Sequence, residues 1–196
     1  MIDQRARPFF NKYLIDPIAR LLVWVGLSAP TVTVSGLLLV VSGAVILGLG
    51  HPVTGVIFIG LGSLLDGIDG AVARLTGTAS DRGAFLDTVS DRIGELAMFG
   101  GVAWFVAEDA TLVLLTVLTL GNSMLIPYIR SKAEAAGGEG KGGLMGRAER
   151  IILFCALAGP VGLDWWGMEA MLWPMVVLTG ITVLQRYWKS WSQLSS

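Results

Sequence analysis

Six stretches of this chain, at about 31–49, 53–75, 84–106, 110–130, 148–164 and 169–188, are apolar over roughly the twenty residues that a helix needs to cross a bilayer. That pattern predicts an all-α, polytopic membrane protein with six transmembrane helices. The first and fourth stretches are uninterrupted, the second and third contain acids, and the fifth is short. The sixth carries no charge between Glu169 and Arg186. Composition points the same way. Only 15% of residues are charged, 54% are hydrophobic, and the mean hydropathy is +0.69. Soluble domains carry about 25% charged residues, so too little polar surface is present here to coat a soluble globule. Glycines and prolines sit in the connections, at Gly48, Gly50 and Pro52, at Gly77, from Gly137 to Gly143, and from Gly159 to Gly162.

Charge placement tests the count. When the six stretches are threaded alternately, all 14 Lys and Arg residues fall on one side. Arg5, Arg7, Lys12 and Arg20 precede the first span. Arg74, Arg82 and Arg92 surround the second connection. Arg130, Lys132, Lys141, Arg147 and Arg150 surround the fourth, and Arg186 and Lys189 follow the last span. The opposite loops hold only His51, Glu108, Asp109, Asp164 and Glu169. By the positive-inside rule both termini are cytoplasmic, in a multi-pass protein of the cell membrane. Trp165, Trp166 and Trp173 at one end, and Trp188 and Trp191 at the other, read as interfacial belts. Gly36, Gly43, Gly60, Gly62, Gly100 and Gly101 would allow helices to approach closely.

Residues 1–30 read as a juxtamembrane amphipathic segment and residues 31–190 as the six-helix membrane domain. The N-terminus mixes charge signs and has no apolar core with a cleavage site, so no signal peptide is expected. Phe9, Phe10, Leu14, Ile18, Leu21 and Leu22 would face lipid, with Arg5, Lys12 and Arg20 toward headgroups. A net charge of −1 points to no polyanionic partner such as nucleic acid. The single cysteine, Cys155, excludes an internal disulfide framework and reads as a buried thiol.

The second and third spans hold Asp66, Asp69, Asp87 and Asp91, with Glu95 one turn deeper. An acid within a membrane segment costs at least about 2.5 kcal/mol on insertion scales, so such residues generally have a partner and a task. Asp66 and Asp69 are spaced i,i+3, and Asp87 and Asp91 i,i+4, so each pair shares one helix face. A short connection makes the two helices antiparallel neighbours whose acidic faces can meet. Four converging carboxylates repel one another, and hard divalent cations relieve that repulsion through oxygen ligation. Two such ions, Mg²⁺ or Mn²⁺, suit phosphoryl transfer. Gly67 and Gly70 strip side chains from beside the acids, and Arg74 offers a forked donor to a phosphate. The structural alternative pairs Asp87 or Asp91 with Arg74 or Arg92. An ion-coupled transporter is the competing functional class. It would more often place its acids near the midplane of a repeated fold, and no repeat is visible here.

From Asp66 the chain reads DGIDGAVARLTGTASDRGAFLDTVSD. This resembles the signature of the CDP-alcohol phosphotransferase family, with Asp66, Asp69, Gly70, Ala73, Arg74, Gly83, Asp87 and Asp91 at its fixed positions. The resemblance implies a CDP-linked lipid donor such as CDP-diacylglycerol, and metal binding by Asp66, Asp69, Asp87 and Asp91. It makes Asp91 also the general base on the acceptor hydroxyl, with CMP as leaving group. It gives CDP contacts to Gly70, Arg74 and Ser80 and to the segment Ala29, Pro30, Thr31 and Val32, where the family often carries Pro-Asn. It also implies a homodimer.

Arg130, Lys132, Arg147 and Arg150 bracket the glycine-rich connection, either as positive-inside residues that meet lipid headgroups or as a pocket for an acceptor that itself carries phosphate. The pattern YIRSKAE followed by GLMGRAER resembles the branch of the family that makes phosphatidylinositol phosphate, with its archaeal counterparts, whose acceptor is inositol 1-phosphate. Glycerol 3-phosphate is the alternative acceptor. Glu134 and Glu149 would pair with these basic residues or meet acceptor hydroxyls.

Overall fold

A computed structural model describes residues 13, 15–140 and 142–194. Among these residues the chain is all-helical. The elements are α1 (Asp16–Trp24), α2 (Ala29–Gly48), α3 (Pro52–Thr76), α4 (Asp81–Phe105), α5 (Ala110–Ala135), α6 (Arg147–Val161) and α7 (Glu169–Gln193). Local chemistry sets the ends. Ser28 caps α2 by accepting from Thr31 N at 3.4 Å, with Pro30 in the first turn. Asp109 caps α5, accepting from the amides of Thr111 and Leu112 at 2.8 and 3.0 Å. Gly77, at φ +67°, closes α3 in the left-handed conformation that glycine adopts without steric cost. Ser80 then caps α4 through Gly83 N at 3.3 Å. The four residues between α3 and α4 therefore turn the chain sharply and set the two acidic helices side by side.

Three helices, α2, α3 and α5, are long and apolar enough to cross a membrane, and the chain is a membrane protein. The other three expected spans are helices at the expected places but differ in character. In α4, Asp81, Arg82, Asp87, Asp91, Arg92 and Glu95 crowd the first fifteen residues. In α6 there are 15 residues, about 22 Å at 1.5 Å per residue, against a hydrocarbon core of about 30 Å. In α7, Thr, Gln and Trp are interspersed among the aliphatic residues.

Small residues bring α2, α3 and α4 into backbone contact. A Cβ on Gly43 would stand 2.6 Å from the carbonyl oxygen of Gly55, and one on Gly55 would stand 2.7 Å from that of Gly43. Gly36 and Gly62 make a second such pair, and Gly101 of α4 packs on the backbone of Ala44. The main core gathers Leu47, Ile59, Phe99, Phe154, Met171 and Met175, with Phe99 and Phe154 edge to face at 5.9 Å. Hydroxyls of Thr116, Thr119, Thr179 and Thr182 are buried, while Leu38, Leu61, Leu114 and Val117 are exposed. That distribution suits a protein whose surroundings are hydrocarbon.

The amphipathic N-terminal reading needs correction at two residues. Ile18 and Leu22, expected to face lipid, pack with Ala19 onto Val32, Ile68, Ala71 and Val72. Ala19 has no bulk, so α1 lies close and its flanking residues wrap inward. Leu21 is exposed as expected. Phe9, Phe10, Leu14, Arg5 and Lys12 lie outside the described residues. Cys155 is half-buried against the main core.

Candidate active site

Asp66 and Asp69 lie on the buried face of α3, 5% and 8% exposed, and Asp87 lies opposite on α4. Each offers a carboxylate oxygen within 4.8 Å of the other two. Three carboxylates so close, in a protein of this polarity, form an all-oxygen donor set that fits a hard divalent cation. Asp91, one turn deeper on α4, faces the same space but is engaged by arginine. Its Oδ1 lies 2.7 Å from Arg147 Nη1, and its Oδ2 lies 3.5 Å from Arg92 Nη2. The same Arg147 nitrogen donates to Asp66. Arg147 thus spans α3 and α4 from the first turn of α6, and its Nε is buried with no hydrogen-bond partner among the described residues.

Several partnerships of the acids were not visible in the sequence. Thr33 of α2 donates its hydroxyl to Asp69. The only hint is its place beside the stretch Ala29–Val32. Arg147 is 81 positions from Asp66, and no local pattern links them. Beneath the site, Glu95 is 3% exposed and is held by Arg150 and by Arg92.

The remaining expected donor contacts differ in their surroundings. Gly67 has open space at its Cα. The guanidinium of exposed Arg74 lies over Gly70, 3.5 Å from where a Cβ would be. Ser80 is exposed, with its hydroxyl committed to the cap of α4. At the start of α2, Pro30 and Thr31 are exposed and Ala29 is half-buried. Val32 points away, into the small core with Ile68.

The four basic residues of the α5–α6 connection separate into different surroundings. Arg147 enters the acidic site. Arg150 is 2% exposed, donating to Glu95 and, at 3.3 Å, to the carbonyl of Met145. Arg130 is exposed and pairs with Glu134 at 2.8 Å. Lys132, two residues on and therefore about 200° around α5, lies 5.6 Å over the ring of Tyr128 on an apolar groove against α7.

The glycine-rich connection itself is tied to α7. Arg186 donates to the carbonyls of Gly142 at 2.8 Å and Ile126 at 3.0 Å. Thr182 accepts from Met145 N at 3.0 Å, Gln185 from Leu144 N at 3.1 Å, and Gln193 from Glu139 N at 3.0 Å. Gly142 and Gly143 sit at φ +126° and +93°, and a Cβ on Gly143 would meet Thr182 at 2.7 Å. These constraints aim the first turn of α6, and with it Arg147, at the acids.

Residues 27–184 match the model of the CDP-alcohol phosphatidyltransferase family. The phosphatidylinositol phosphate synthase of Mycobacterium marinum is 37% identical over 185 residues, covering 90% of this chain and 79% of that protein. The enzyme of the same name from Streptomyces avermitilis is 33% identical, covering 95% of this chain and 81% of that one. Among solved structures, the Mycobacterium tuberculosis phosphatidylinositol phosphate synthase in complex with manganese and citrate superposes with a TM-score of 0.83 at 35% identity. It covers 91% of this chain and 90% of that chain. The same protein with CDP-DAG bound superposes with a TM-score of 0.82, covering 91% and 94%.

Proposed function

The chain belongs to the CDP-alcohol phosphatidyltransferase family, and from that premise we propose that it transfers the phosphatidyl group of CDP-diacylglycerol to inositol 1-phosphate, giving phosphatidylinositol phosphate and CMP. It is a phosphatidyltransferase; the acceptor and the residue roles are our reading. The observation that carries them is the meeting of Asp66, Asp69 and Asp87 within 4.8 Å beside a guanidinium that touches Asp66 and Asp91. Relatives over most of the chain's length carry the name of the inositol phosphate enzyme.

Asp66, Asp69 and Asp87, completed by Asp91, would hold two divalent cations, Mg²⁺ or Mn²⁺. Bound there, the ions supply charge neutralisation at the pyrophosphate and orient it for attack. Thr33 fixes the orientation of Asp69. Arg74 and the side-chain-free surface at Gly70, with Ser80 and the start of α2 from Ala29 to Val32, would receive the CDP moiety. Asp91 takes the proton of the acceptor hydroxyl as that oxygen attacks the lipid-linked phosphorus. CMP departs with the bond's electron pair. Arg147 and Arg130 would bind the acceptor phosphate. Arg150 would support them from beneath through Glu95.

The functional unit would comprise residues 31–190 as six spans, with 1–30 against the membrane. The site and termini would be cytoplasmic and the assembly a homodimer. The charge split of the sequence supports the orientation. The decisive assay is release of CMP from CDP-diacylglycerol by purified protein, with Mg²⁺ or Mn²⁺, across a panel of alcohols and their phosphates. Mass spectrometry then identifies the lipid formed. Inositol 1-phosphate should be the preferred acceptor. Turnover with glycerol 3-phosphate or unphosphorylated inositol alone would reject the acceptor assignment.

A further inference from the structure

Asp91 and Glu95 stand one turn apart on one face of α4, and like charges at that i,i+4 spacing repel. Neither carboxylate can escape freely into water, since Glu95 is buried and Asp91 half-buried. Arg92 bridges the two. Its Nη1 donates to Glu95 Oε2, and its Nη2 lies 3.5 Å from Asp91 Oδ2. Consecutive residues point about 100° apart around a helix and do not ordinarily face each other. The guanidinium therefore folds back across the turn to reach Asp91.

The other side of Glu95 is fixed as well. Its Oε1 accepts from Arg150 Nε at 3.1 Å and from Arg150 Nη2. Arg150 is itself anchored on the carbonyl of Met145. Asp91 is thus tied, through Arg92 and Glu95, to a buried arginine of α6. Its second cation, Arg147, is shared, because one nitrogen serves both Asp91 Oδ1 and Asp66. Arg92 forms no ion pair with Asp66, Asp69 or Asp87 among the described residues. Of the two arginines on Asp91, only Arg92 holds it independently of the clustered acids.

We propose that Arg92 is a positioning residue for the phosphatidyl transfer, holding the Asp91 carboxylate against the Glu95–Arg150 pair at the angle from which it takes the acceptor proton. This role rests on the base function given to Asp91 above, and Arg92 would act through Asp91 rather than on the substrate. A pairing that served stability alone would leave kcat untouched in a folded variant.

Steady-state CMP release from CDP-diacylglycerol with the best acceptor, beside Mn²⁺ titration and thermal unfolding, tests the assignment. Arg92→Gln should lower kcat about 10- to 100-fold, the scale of a reacting group misplaced by about 1 Å, with both KM values and Mn²⁺ affinity little changed. Arg92→Lys should recover only part of that loss, since an ammonium lacks the fork that spans two carboxylates. Glu95→Gln keeps an acceptor for Arg150 but weakens the hold on Arg92, so kcat should fall in the same direction. Adding Arg92→Gln to it should cost little more, because both changes break one tie. Should Arg92→Gln or Glu95→Gln fail to fold, Arg92→Lys carries the test through its lowered kcat at unchanged Mn²⁺ affinity. Asp91→Asn separates this role from the reading beneath it. Lost turnover in Asp91→Asn with full kcat in the folded Arg92 variants would overturn the positioning role alone. Full turnover in Asp91→Asn would remove the base and the positioning role together. A fall in Mn²⁺ affinity matching the fall in kcat, or losses that simply multiply in the double variant, would also overturn the proposal.

Discussion

The guanidinium of Arg147, on α6, stands 2.7 Å from a carboxylate oxygen of Asp91, on α4. Through this contact and its bond to Asp66, a residue at the start of one helix draws together the acids of two others. In the proposed reaction the same arginine would meet the acceptor phosphate beside the reacting centre. Arg147→Ala should therefore raise the KM for inositol 1-phosphate about tenfold or more, roughly 1.4 kcal/mol, and shift the KM for CDP-diacylglycerol much less. Arg147→Lys should recover only part of the loss, because an ammonium cannot span two carboxylates and still present a further planar donor. Steady-state CMP release with each substrate varied in turn provides the measurement. An equal rise in both KM values would remove Arg147 from the acceptor site.

Asp91 borders the cluster of Asp66, Asp69 and Asp87, whose ligand oxygens lie within 4.8 Å, and differs from them in being held by both Arg147 and Arg92. The base role proposed for it predicts different consequences for two isosteric changes. Asp69→Asn should lose Mn²⁺ affinity and turnover together. Asp91→Asn should reduce kcat by about 10²–10⁴-fold, the range for loss of a positioned general base, while retaining much of the Mn²⁺ affinity. Mn²⁺ titration followed by electron paramagnetic resonance, set beside CMP release, separates the two. Parallel losses in both variants would deny Asp91 a separate role as base.

The acid pairs and the helices that carry them were legible because both are written in local spacing. The intervals i,i+3 and i,i+4 place Asp66 with Asp69 and Asp87 with Asp91 on single faces, and apolar length marks the helices. What was not legible depends on distant packing. Arg150 meets Glu95 across 55 positions, and Arg186 holds Ile126 across 60. Nothing short-range distinguishes these arginines from positive-inside residues. Arg130 and Lys132 looked equivalent as members of one basic connection. Helical rotation divides them, sending Lys132 to the groove on α7. Thr33 carries no local signal, because a threonine in an apolar helix is ordinary until Asp69 is seen beside it.

Adjacent glycines on α4 offer a controlled test of close helix packing. Gly101 lies on the backbone of Ala44, whereas a Cβ on Gly100 would meet nothing within 4 Å. Gly101→Val should force α2 and α4 apart and destabilise by about 1–3 kcal/mol, as overpacking does. Gly100→Ala should be neutral or slightly stabilising, since alanine is the better helix former. Thermal unfolding in one detergent, by tryptophan fluorescence, compares them. Similar shifts for the two would contradict the backbone contact.

Glu95 and Arg150, 3% and 2% exposed, form a buried pair beneath the acids, with Arg92 as a second partner of the carboxylate. Removing one member strands the other. Arg150→Met should cost about 3–5 kcal/mol, because the Glu95 carboxylate then keeps only Arg92. Replacing both, as Glu95→Leu with Arg150→Met, should be less damaging than the sum of the single changes, since an apolar pair requires no compensating charge. A double-mutant cycle on thermal stability measures that coupling. The cycle also separates support from chemistry. If the pair only holds α4 against α6, the double variant should regain turnover along with stability and keep the acceptor KM near its original value. A stable double variant with a raised acceptor KM would instead mean that Arg150 sets the position of Arg147, three residues before it on the same helix.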